Sequence, residues 1–226
     1  MFRLLIVRLS IGLVSTAAIP VVAAEDFNLP PLSEFLMERD REVALARSAA
    51  PGRVSENATI MVLGKSGYET AIEGSNSFVC LVIRSWGNPT YDHDYAYVAA
   101  SKVPECLDAN AVRTILPVQL FRAELGTKMT PPASMEAAVK AGFRNGRFQR
   151  TQTVSFSYML SAAMTFGDGY QGPAHIMIYL PDNYRNDTVG GFPYKERLII
   201  VEGGPDQPFV AANIYLLDEA IEPKFD

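Results

Sequence analysis

The chain has 226 residues, with 20 Lys and Arg against 25 Asp and Glu, and a formal charge of −5. This dispersed acidic balance argues against nucleic acid or an anionic lipid surface as partner, because both draw affinity from clustered Lys and Arg. A composition that is 48% hydrophobic supports one compact domain with a sizeable core.

Residues Met1–Ala24 read as a secretory signal peptide, leaving 25–226 as a single globular domain. Arg3 and Arg8 supply the basic start, an apolar run extends to Ile19, Pro20 breaks it, and Val22-Ala23-Ala24 offers small residues before a cut ahead of Glu25. The alternative is a retained anchor, but Arg8 leaves the run short of the ~20 apolar residues a bilayer needs. No later stretch is long and apolar enough to span a membrane, so a periplasmic or secreted protein is expected.

Leu29-Pro30-Pro31 is a linker into a helix capped by Ser33, with Leu32, Leu36, Val43 and Ala46 as its apolar stripe to about Ala50. Glu34, Glu38, Arg39, Arg41, Glu42 and Arg47 read as its solvated face. Pro51-Gly52 ends the element. Three short strands in a meander follow, Ile60–Gly64, Tyr68–Glu73 and Phe78–Ile83. The second alternates as a half-buried strand does; the third is apolar on both sides and should sit deepest.

The block G-Y-E-T-A-x-E-G-x-N-x-F-V-C-L-V-x-R-S-W (Gly67–Trp86), preceded by A-L-A-R-S-A-A-P (Ala44–Pro51), resembles a set of exported bacterial proteins without an assigned activity. His175-Ile-Met-Ile-Tyr-Leu-Pro181 is similar to a second block of that set. Together these cover about a quarter of the chain; the resemblance implies export and a shared fold, and no mechanism.

Gly87–Pro104 is a long irregular stretch holding Asp92-His93-Asp94. Neighbours on an extended chain point in opposite directions, so the triplet lacks the three or four converging ligands of a metal site. A solvated loop is the reading, and neither metal nor cofactor is expected. Two cysteines in an exported chain point to a Cys80–Cys106 disulfide tying this loop to the central strand. Cys80 as a buried free thiol, or as a nucleophile paired with His175, are the alternatives.

Asp108 caps a helix through Leu116, which Pro117 kinks or divides from Val118–Leu125. A further helix over Met135–Phe143 stops at Asn145-Gly146. Strands then return. Thr153–Leu160 sets Val154, Phe156, Tyr158 and Leu160 against Thr153, Ser155, Ser157 and Met159, and Ala174–Leu180 sets Ile176, Ile178 and Leu180 against His175, Met177 and Tyr179. The glycine-rich Phe166–Pro173 loop lacks the Walker lysine and is no phosphate loop. Arg197–Glu202 and Phe209–Leu217 form a last strand pair.

This order predicts an α+β fold, one mostly antiparallel sheet of six or seven strands with helices packed on it, and PAS- and profilin-like modules share such an arrangement. His175, Tyr179 and Ser157, with Ser155 and Arg84 as further members, are the candidate lining of a ligand pocket. The opposing reading is a histidine hydrogen-bonded at a strand end. A non-catalytic module binding a small molecule or an envelope protein is the first functional expectation. A small hydrolase using Ser157 or Cys80 with His175, and a structural envelope protein, are the alternatives.

Overall fold

A computed structural model describes residues 29–87, 97–167, 169–181, 198–201, 210–215 and 222–225. Met1–Ala24 and Asp92-His93-Asp94 lie outside the described residues. The fold is α+β: one large, mostly antiparallel sheet with helices packed on it. Its eight strands are β1 (Thr59–Gly64), β2 (Gly67–Ile72), β3 (Val79–Ile83), β4 (Val103–Leu107), β5 (Ser155–Met159), β8 (His175–Leu180), β9 (Leu198–Val201) and β10 (Val210–Tyr215). They lie side by side in the order β2-β1-β3-β4-β5-β8-β10-β9. Within the Gly-rich loop, β6 (Thr165–Phe166) and β7 (Tyr170–Gln171) make a separate two-stranded ribbon. The helices are α1 (Arg39–Arg47), α2 (Gly52–Ser55), α3 (Ala109–Thr114), α4 (Leu116–Thr127) and α5 (Pro132–Arg144). None of the described helices is long and apolar enough to cross a membrane.

The first three strands are not a meander. β1 and β2 form an antiparallel hairpin, but the chain then passes the start of β1, and β3 pairs with β1 in parallel on its other side. The connection is held to that start: the amides of Ser75 and Asn76 both donate to Asn57 O, and Gly74 N donates to Thr59 Oγ1 at 3.1 Å. Gly74 lies so close to the Ala58–Thr59 backbone that a Cβ there would collide with main chain. β2 is thereby left at one edge, where Glu69 pairs with Arg39 of α1. β3 is buried on both faces, as its two-sided apolar sequence predicts.

The helices lie on opposite faces. Leu45 and Ala46 of α1, with Ala49 just past its end, pack on Ile60, Cys80 and Val82. On the other face Ala111 of α3, Leu116 of α4 and Ile115 between them pack on Leu81, Leu107 and Met159. The expected Ser33 cap is displaced. Leu32–Glu34 is a single 3-10 turn, and α1 starts at Arg39, capped by the Glu38 carboxylate accepting from Arg41 N at 2.9 Å. Asp108 does cap α3, accepting from Ala111 N at 2.8 Å, and the chain divides at Ile115, just ahead of Pro117.

Helix α4 lies close over Trp86. A Cβ on Gly126 would stand 2.5 Å from Trp86 Cδ2, inside any permissible contact. Helix propensity alone favours alanine over glycine by about 1 kcal/mol, while forcing a methyl into a packed core costs roughly 1–3 kcal/mol. Gly126→Ala is therefore expected to lower stability in urea denaturation; an unchanged or raised midpoint would show that the indole can move aside.

Candidate functional site

Strands β5 and β8 are antiparallel neighbours, with Ser155 opposite Tyr179, Ser157 opposite Met177 and Met159 opposite His175. Residues directly opposite in such a ladder share a face, so Ser155, Ser157, Tyr179 and His175 stand together on one side of the sheet. It is the side beneath α3 and α4. Alternation separates these polar residues from Phe156 and Tyr158 as the sequence predicts, but the polar side is the more deeply buried: Ser157 is 0%, Tyr179 1% and His175 3% exposed, while Phe156 and Tyr158 are only half-buried.

The centre of this face is a residue that the sequence reading passed over. Glu105 is the neighbour of Cys106 on β4, and Cys106 faces α1, where it is bonded to Cys80. Strand alternation therefore turns Glu105 to the α4 side. The Tyr179 hydroxyl donates to Glu105 Oε1, and Gln119 Nε2 of α4 donates to Oε2 at 2.7 Å. Ser157 Oγ lies 3.1 Å from the Tyr179 hydroxyl. With the tyrosine proton committed to Glu105, the serine is the donor, and the chain runs Ser157 to Tyr179 to Glu105. Burial raises the Glu105 pKa above its ordinary value, and the bonds from Tyr179 and Gln119 oppose that rise. Burial and the adjacent carboxyl raise Tyr179 well above an ordinary phenol. Two further atoms, Gln119 Oε1 and Ser155 Oγ, are buried with no hydrogen-bond partner.

His175 stands at the start of β8. Its Nδ1 is 2.8 Å from Pro173 O, and because a carbonyl only accepts, that nitrogen carries the hydrogen. Burial lowers the pKa of the ring, favouring its neutral form, and the bond to Pro173 opposes that shift.

Arg84 is not a member of the group. It sits past the end of β3, fully buried, where Nη2 pairs with Glu42 Oε2 at 2.9 Å, Nε donates to Phe35 O at 2.7 Å and Nη1 donates to Val82 O. Glu42 correspondingly leaves the solvated face predicted for α1; it is 1% exposed and its second oxygen accepts from Leu63 N at 3.0 Å. Lys102 lies nearby, lowered to about 8 by burial and by the Arg84 charge.

Cys80 and Cys106 are joined in a disulfide between directly paired positions of β3 and β4. Cys80 is thus excluded as a nucleophile, and the bridge ties strand to strand rather than loop to strand. A disulfide fits an oxidising compartment. Among the described residues no group of three or more His, Cys, Asp or Glu could hold a metal ion. No protein-family model matches the chain, and neither a curated protein nor a solved structure shows significant similarity to it.

Proposed function

We propose that this chain is an exported, periplasmic or secreted binding domain that works without covalent chemistry, and that its ligand is a small polar molecule held against Ser157, Tyr179 and His175. The leader-like Met1–Ala24 segment, the resemblance of Gly67–Trp86 to exported bacterial proteins and the disulfide support export. One observation carries the binding reading. Where an ordinary core would place aliphatic side chains, the sheet face and the helix over it gather hydroxyls, an imidazole, an amide and a carboxyl, and two of these polar atoms have no hydrogen-bond partner among the described residues. Unpaired polar capacity in a buried place is what a polar ligand can complete. Ser157 and His175 are on neighbouring strands, yet the Ser157 hydroxyl is bonded to Tyr179 rather than to the imidazole, which suits recognition better than nucleophilic attack.

The test is native mass spectrometry on the exported protein, with a panel of ester and peptide substrates run alongside. A copurifying small molecule is expected, and Ser157→Ala combined with Tyr179→Phe should reduce its occupancy about tenfold or more, the equivalent of one or two hydrogen bonds. Turnover that disappears on Ser157→Ala or His175→Ala would replace this reading with the hydrolase.

A further inference from the structure

The polar face is closed. Ser155, Ser157, Glu105, Tyr179 and His175 are all buried, so nothing enters between this face and α4 unless α4 moves. At that point the polar tie between α4 and the sheet is the bond between Gln119 and Glu105, beside the packing of Leu116 and Leu120 in the core. The groups facing Glu105 are Gln119 from α4, Tyr179 from β8, Ser157 from β5, Leu81 opposite it on β3, and Tyr68 of β2, which feels its charge; Asp108 at the head of α3 acts on Tyr179. Among the described residues none of these is a cation, and burial lowers the pKa of His175, which stands further along the same face.

We propose that Glu105 is a proton-operated latch: as the neutral acid it hydrogen-bonds Gln119 and seats α4 on the sheet, and on losing its proton it leaves a buried, uncompensated charge that loosens α4 and opens the polar face.

The amide geometry admits both states. Gln119 Oε1 accepts from nothing, so no bond on its far side fixes which end of the amide faces Glu105. With the amide turned, the same 2.7 Å separation is an ordinary O–H···O bond from the acid to Gln119 oxygen. An ionised carboxylate in that position has only neutral donors, and an anion shut away from water without a counter-charge is costly. Burial raises the Glu105 pKa, so the folded state retains the proton at a pH where the unfolded chain has released it. The sign follows: the stabilisation is complete below the ordinary carboxylate range and is lost as pH rises through the folded value. That opening admits a ligand is a consequence that rests on the binding reading; the latch itself does not.

The experiment uses no ligand, so its failure and that of the binding reading are separable. In wild-type protein labelled at the glutamate side-chain carboxyl carbon, one carboxyl resonance is expected to titrate well above the rest. Amide-exchange protection factors across α4, corrected for intrinsic exchange, should fall with rising pH by up to about tenfold per unit above that transition. Glu105→Gln should keep α4 protected and flatten the profile. Glutamates that all titrate in the ordinary range, or α4 protection indifferent to pH in the wild type, would overturn the latch; the carboxyl titration decides the matter even if the variant does not fold.

Discussion

Replacing Arg84 by methionine is expected to cost roughly 3–5 kcal/mol of folding stability, the range for removing one partner of a buried ion pair. The guanidinium occupies a place that a point charge cannot fill. Its donors reach Glu42 on α1, the carbonyl of Phe35 ahead of α1, and the carbonyl of Val82 on β3, so one planar group fastens the N-terminal segment to the sheet. Without it the Glu42 carboxylate stays buried with only Leu63 N as donor, and two carbonyls lose a partner. Arg84→Lys should recover little, because an ammonium on a flexible stem cannot meet three acceptors in the plane of a guanidinium. Glu42→Gln combined with Arg84→Met removes the orphaned charge and should be less destabilised than Arg84→Met alone, with a coupling measurable in a double-mutant cycle. A loss below about 1 kcal/mol for Arg84→Met in urea denaturation would show that water reaches this pair in solution.

How far the sequence goes is decided residue by residue. The alternation in Ser155–Met159 and His175–Leu180 places Ser157, Tyr179 and His175 on one face, and the structure brings their strands together in the register that meets this requirement. Alternation says nothing about which face is covered. A reading by hydrophobicity expects Phe156 and Tyr158 inside, whereas α3 and α4 cover the serines. Strand β4 escapes detection because Val103-Pro-Glu-Cys-Leu107 carries a proline and a carboxylate in five residues, both depleted from strands. Its sequence still held the missing clue. Given a Cys80–Cys106 bond, strand alternation turns Glu105 away from Cys106, to the face of Ser157 and Tyr179. Glu42 is misread for a different reason: helical periodicity places it among charged residues, and only the tertiary position of Arg84 draws it inside. The parallel pairing of β1 and β3 is equally invisible locally, since it depends on the chain crossing at Gly74 rather than on any strand's own pattern.

Breaking the Cys80–Cys106 bond is expected to have the second-largest effect, about 3–4 kcal/mol by loop-closure entropy for cysteines separated by 26 positions. The bond joins residues already paired in the β3–β4 ladder, so in the folded state it enforces nothing that the ladder does not also favour. Its contribution therefore falls on the unfolded chain, which it prevents from separating these two strands. That origin makes two measurable demands. Reduced wild-type protein and the Cys80→Ala, Cys106→Ala double variant should lose similar amounts, with the variant somewhat worse because both side chains are fully buried and their removal leaves a void. The urea dependence of unfolding should also steepen in both, since an uncrosslinked unfolded chain exposes more surface. A full loss of stability in the alanine variant with almost none on reduction would place the effect in core packing. A loss below about 1 kcal/mol in both would mean that the unfolded chain keeps β3 and β4 together without the bond.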